Sequence, residues 1–361
     1  MMPVRLHSRI ALGLSPTPRP GLVLLPLGMA LGPAGLNLLS PSILSYLDPA
    51  VSVALAALGV FAGLGLDFRR SREGVLLTAA SLEASVTIVI VGAGVLVSHS
   101  WFPVSGPPML LALMLGISAA VSSTASSDSP DQPLSLATRV GDLDDVLPIL
   151  LSGLVLASMS QGFSAAAVWL AAQTGLIALV IALAGWLLVA QVSAVSEEHV
   201  FVAGTLLLLG GTAAYLSMSA LWVGLLGGIV WSLAGGPARD SIERDMRYLQ
   251  HPLIVLLLLV AGAQLQPSAE VLGLLAVYLL CRSAGKLAGG WLVGRAVVRD
   301  LPSDFGRRLI APGVLAVAFA VSVLQADADS EGTKMLLAVA AIGSLASELL
   351  SVMAYPQRGL R

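Results

Sequence analysis

Asp144 and Asp145 stand side by side at the head of an apolar run that continues to about residue 157. A carboxylate at the centre of a bilayer costs about 2.5–3.5 kcal/mol on the insertion scale, so acids in such a run need a partner or a purpose. Two neighbouring carboxylates in low dielectric repel each other, and their protons leave in coupled steps. Their oxygens suit a hard monovalent cation as well as a proton. Competition between those two guests is the chemistry of exchange. Pro148 lies four positions after Asp144 and has no N–H to offer the Asp144 carbonyl, which leaves a backbone oxygen beside the pair. The plainer alternative is an acidic helix start, favoured by the macrodipole. Asp142 fits that role, or a place in an inner funnel.

Other charges interrupt apolar stretches. Arg282 and Lys286 are four apart and share one helix face. A buried cation needs a counter-charge, and the aspartate doublet is the evident one. Lys286 is the more versatile of the two, because an ammonium can lose its proton and a guanidinium cannot. It lies nine residues from Arg295, roughly 13 Å along a helix, which is deep for snorkelling to the surface. Glu83, close to Ser81, Ser85 and Thr87, reads equally as an accessory ligand or as a hydrogen-bonded packing residue. Glu348 lies near a span end and reads as structural. His7, His99, His199 and His251 fall in loops or at span edges and make no metal site. Cys281 is the only cysteine, which excludes an intrachain disulfide and a cysteine-based cluster. No cofactor is expected.

The elements that carry these residues are membrane spans. Of the 361 residues 57% are hydrophobic and 11% charged, and mean hydropathy is +0.90. A soluble domain carries about 25% charged residues, so a soluble enzyme, a nucleic-acid binder and a disordered chain are excluded. The balance of 19 Lys+Arg against 21 Asp+Glu leaves no basic footprint for nucleic acid. Runs long enough to cross a bilayer lie near 21–38, 49–66, 74–98, 106–124, 139–160, 165–190, 198–215, 218–234, 250–264, 270–294, 308–325 and 333–353. The fold class is therefore all-α and polytopic, with about 12 transmembrane helices; period-2 alternation, the mark of a transmembrane barrel, is absent. An N-terminus placed inside gathers 16 of the 19 cations on one side and leaves only Arg282, Lys286 and Lys334 elsewhere. That asymmetry puts both termini in the cytoplasm. Residues 1–20 form a cytoplasmic segment, 21–354 the transmembrane unit and 355–361 a cytoplasmic tail.

Segments at 74–160 and 270–354 have similar length and opposite direction, as two inverted repeats would. Each contains a polar or helix-breaking interruption at a corresponding place. The first is Ser122-Ser123-Thr124, and the second is Ala311-Pro312-Gly313. Matched breaks of this kind point to two discontinuous crossing helices and to a transported substrate between them. A kink in a packed helix is the bland reading of either break alone.

At these residues the chain resembles the sodium/proton exchanger (monovalent cation:proton antiporter) family, in its electrogenic type. The resemblance runs over most of the length. Residues 25–36 and 58–68 resemble the family's opening helices, Ser122-Ser123-Thr124-Ala125 its first unwound helix, and Asp144-Asp145 its ion-binding doublet. Arg282-Ser-Ala-Gly-Lys286 resembles the helix of the partner cation, and Ala311-Pro-Gly the second unwound helix. The resemblance implies a secondary antiporter, not an enzyme, with an ion-carrying bundle built from the two repeats and a dimerisation bundle built from the rest. Asp145 would be the principal cation ligand and Asp144 the second, proton-coupled site, paired with Lys286, or with Arg282, when no cation is bound. Ser123 and Thr124 would add oxygens, with Glu83 and Asp142 accessory. The transported partners would be Na+ (or Li+ or K+) and H+. A homodimer in the bilayer of a bacterial inner membrane is the expected setting. Alternatives are a sodium-coupled symporter of organic anions, an intramembrane aspartyl protease and a transport-dead sensor.

Overall fold

The computed structural model describes residues 20–68, 72–101, 107–122, 136–192, 195–266, 268–299, 301–302 and 304–354. Residues 1–19 and 355–361, and with them most of the expected terminal segments, lie outside this set. The described residues form fourteen helices and no strand: α1 (Pro20–Leu31), α2 (Pro41–Leu64), α3 (Glu73–Ser98), α4 (Pro108–Ala120), α5 (Leu136–Leu143), α6 (Val146–Gln161), α7 (Ala165–Gln191), α8 (Val195–Tyr215), α9 (Ala220–Ala234), α10 (Gly236–Ala263), α11 (Ala269–Ala296), α12 (Phe305–Arg308), α13 (Val314–Ala326) and α14 (Glu331–Ala354). Six of them are long and apolar enough to cross a membrane alone, in α2, α3, α7, α10, α11 and α14. Taking α5–α6 and α12–α13 each as one interrupted segment brings the fourteen helices to twelve segments. The fold is that of an all-α polytopic membrane protein.

Helix limits follow local chemistry. Proline opens α2 and α4, where the missing N–H is no loss and φ is already helical. Glycine ends α6 and α9, with Gly162 at φ 64° and Gly235 at φ 66°, a region costly for other residues.

Four expected boundaries need correction. The second span starts at Pro41, not near residue 49, and α1 stops at Leu31. Its polar first turn, with Ser45 Oγ donating to the Ser42 carbonyl at 2.8 Å, reads as loop by hydropathy but is helical. The ninth span is the second half of α10, which begins at Gly236. Its first half is amphipathic, burying Ile242 and Met246 while Arg244 reaches Glu198 of α8 at 3.1 Å. The fifth span, read as continuous over 139–160, is broken at Asp144–Asp145. Pro148 is the physical reason, since the Asp144 carbonyl has no N–H four residues on.

Close helix contacts are made by glycine. A Cβ on Gly224 of α9 would lie 1.9 Å from the Ala56 carbonyl oxygen of α2, and one on Gly59 of α2 would lie 2.0 Å from that of Leu221. Small residues let two backbones approach this way where lipid offers no hydrophobic drive. Gly224→Val is expected to cost about 1–3 kcal/mol through overpacking. The check is the thermal midpoint in detergent, compared with Gly204→Val, a position with nothing within 4 Å of a Cβ. Equal midpoints would refute the packing argument.

Candidate functional site

The first break shapes the site. α4 ends at Ala120 and Val121 turns extended, at φ −66° and ψ 133°. The last carbonyls of any helix lack intrahelical donors and carry the negative end of its dipole. Here two cations of α11 satisfy them. Arg282 donates to the carbonyls of Ala119 and, at 2.9 Å, Val121. Lys286 donates to the carbonyl of Ala120. Both side chains are buried.

Lys286 Nζ gathers the rest of the cluster. It lies 3.0 Å from Glu83 Oε2, 3.1 Å from Asp144 Oδ2 and 2.9 Å from Ser122 Oγ. With Ala120, that makes four acceptors for an ammonium that carries three protons. Ser122 Oγ also donates to Asp144 Oδ2. Thr87 Oγ1 holds the other Glu83 oxygen at 3.0 Å. α3 comes this close to α11 because Gly285 and Gly289 face Thr87 and Glu83; a Cβ on Gly289 would already sit 3.1 Å from Glu83 Cγ.

Asp144 and Asp145 occupy the two-residue turn between α5 and α6. Both are buried. The Asp145 carbonyl accepts from Ile149 N at 3.1 Å and so starts α6. Its side chain makes no capping bond, so the acidic-cap alternative does not describe it. Asp144 Oδ1 and Asp145 Oδ1 have no hydrogen-bond partner among the described residues. Carboxylate oxygens buried without donors are costly, and a cation or a proton at either one relieves that cost. Among the described residues no group of three or more His, Cys, Asp or Glu is disposed to hold a metal ion.

The second break meets the first. Residues 309–313 are not helical, and Gly313 stands at the start of α13 against Ser122, whose carbonyl oxygen would be 3.1 Å from a Cβ there. Ser118 Oγ of α4 reaches the Ala316 carbonyl of α13 at 3.5 Å.

The structure thus brings together Ser122, Asp144, Lys286, Arg282 and Glu83, with Gly313 at the crossing and the buried Pro312 beside it. Asp145 adjoins them. Asp142 is half-buried in the last turn of α5. Ser123 and Thr124 lie outside the described residues. Two features escaped sequence reasoning: the α4 carbonyls as acceptors, and the shared hold of Lys286 on Glu83 and Asp144. The one signal for the second was Gly285 and Gly289, flanking Lys286 at a spacing of four.

No protein-family model matches the chain, and no curated protein sequence does. Solved structures match, among 44 chains. One is the sodium proton antiporter MjNhaP1 from Methanocaldococcus jannaschii at pH 8, with TM-score 0.63 and 15% identity over 92% of each chain. This chain therefore shares over nearly its whole length the polytopic helical fold of that antiporter.

Proposed function

We propose that the chain is a secondary monovalent cation:proton antiporter working by alternating access, with Na+ and H+ competing for the aspartate pair. The observation that carries this reading is the pair of buried Oδ1 atoms on Asp144 and Asp145 with no donor among the described residues, beside an ammonium with more acceptors than protons. The fold shared with a sodium proton antiporter supports it. So does the placement of the aspartates in one chain break: an aspartyl protease needs its two acids on separate elements, facing each other.

In this reading Asp145 is the principal ligand. A cation arriving from the cytoplasm takes oxygens of both aspartates, and the protons held there leave. Lys286 loosens its hold on Asp144 and keeps the acceptors at Glu83 and Ala120, so the ammonium is never stranded. When the cation departs, Lys286 and Ser122 close on Asp144 again. Ser123 and Thr124 supply further oxygens, and Asp142 lies on the approach. Two carboxylates allow two protons per cation; exchange is then electrogenic, biased by about 2.3 kcal/mol per net charge at 100 mV. The protein works as a homodimer in the bacterial inner membrane, with both termini cytoplasmic and the two repeats forming the moving bundle.

The test is proton release. Adding NaCl, LiCl or KCl to purified protein in weakly buffered detergent should acidify the medium for the transported ion, read by an indicator dye. Choline chloride should release none. No release with any alkali cation would refute the reading.

A further inference from the structure

Seven positions after Asp145, α6 presents Ser152. A heptad drifts by only about 20° around a helix, so the two side chains share a face. Ser152 is fully buried, and so are Ser219, just before α9, and Ser322 of α13. Their hydroxyls converge from three elements. Ser152 Oγ lies 3.0 Å from Ser219 Oγ, and Ser322 Oγ donates to Ser219 Oγ at 3.4 Å. Ser152 also reaches the Ile149 carbonyl at 2.7 Å, and Ser219 accepts from Trp222 N at 3.2 Å. The Trp222 ring closes against Gly153, where a Cβ would meet it at 2.5 Å.

The line continues one turn along α13. Gln325 Nε2 donates to the Asp48 carbonyl at 3.1 Å, and Ser52 Oγ reaches Gln325 Oε1 at 3.4 Å. Gln325 and Asp48 are half-buried, at the end of the bundle away from Arg239, Arg244, Arg247 and Arg295. Polar groups therefore stand at intervals from the half-buried Gln325 to Ser152, which lies two turns along α6 from Asp145, whose Oδ1 has no donor among the described residues.

Ser152 and Ser322 both meet Ser219, and each hydroxyl brings one proton against two acceptor lone pairs. The cluster has acceptor capacity left for water or for a hydrated ion.

We propose that the hydroxyl seam of Ser152, Ser219 and Ser322 is the route by which proton and cation reach Asp145 from the side opposite the arginine-rich end. Ser219 is its central link, bonded to both other serines, and Trp222 packs beside it. The inference rests on the antiport reading and adds the residues that the travelling ion meets outside the aspartate pair.

The experiment is cysteine labelling of the full chain in vesicles of known sidedness, in a Cys281→Ser background. Ser219→Cys should react with a charged, membrane-impermeant methanethiosulfonate added opposite the arginine-rich end. Its rate should exceed that of Ala320→Cys by an order of magnitude; Ala320 is equally buried but two residues from Ser322 and so off its face. Modification should stop exchange. Ser322→Cys is the second variant, should Ser219→Cys fail to fold. The proposal is overturned if both cysteines stay unreacted, react only from the arginine-rich side, or react without effect on exchange. The antiport reading fails separately, if the unlabelled parent moves no protons against cations. The sided labelling then still decides whether a route exists.

Discussion

Asp145→Asn is expected to abolish pH-driven cation flux in proteoliposomes while leaving the protein folded. The substitution keeps size and shape and removes only the charge and the titrating proton. An amide cannot take up and release a proton, and its one oxygen is a weak match for an alkali cation that has given up its water. Folding should survive because Asp145 Oδ1 has no donor among the described residues; a neutral group there relieves a buried charge and breaks no ion pair. Two measurements separate the effects. Flux, read with a trapped pH dye and an imposed proton gradient, should fall to the level of empty vesicles. The thermal midpoint in detergent should match or exceed that of the parent, and its rise with added NaCl, expected from binding to the native state, should disappear. Undiminished flux would end the antiport mechanism proposed here.

Lys286→Met is expected to give the opposite pattern, a large loss of stability. The ammonium holds Glu83 at 3.0 Å and Asp144 at 3.1 Å, and all three side chains are fully buried. Removing one partner of a buried ion pair costs about 3–5 kcal/mol, because an uncompensated charge stays behind. Here two carboxylates and the Ala120 carbonyl each lose a donor together, leaving Asp144 only Ser122 and Glu83 only Thr87 as hydrogen-bond donors among the described residues. Thermal unfolding, followed through the six tryptophans, should shift far below the parent. Neutralising the stranded acids as well, in Lys286→Met with Glu83→Gln and Asp144→Asn, should recover much of the loss. Groups in one network are not additive, and that recovery is the mark of a charge effect rather than of lost packing. A single variant as stable as the parent would show that the pairs do not form.

Much of this protein is legible along the chain. Hydropathy located twelve segments, because a bilayer accepts only long apolar helices. The aspartate doublet, Arg282 and Lys286 stood out because ionised groups in such helices are costly. Ser122 and Pro312-Gly313 marked the breaks through local backbone chemistry. Hydropathy was less reliable where a helix left the apolar register, as in the first half of α10, whose alternating buried and charged faces carry no net signal.

What the sequence determined by itself is the inventory: an all-α membrane chain, two interrupted helices, and a handful of acids and bases that cannot lie in lipid alone. Only the tertiary structure decided who pairs with whom. Glu83 and Lys286 are 203 positions apart, and nothing local distinguishes Glu83 the counter-ion from Glu83 the packing residue. Arg282 turned out to hold backbone carbonyls rather than an aspartate, since the open end of α4 lies within its reach. The physical reason is range. Solvation and backbone propensity act on each residue where it stands, whereas a buried charge takes the nearest acceptor that packing brings to it, and packing belongs to the whole bundle.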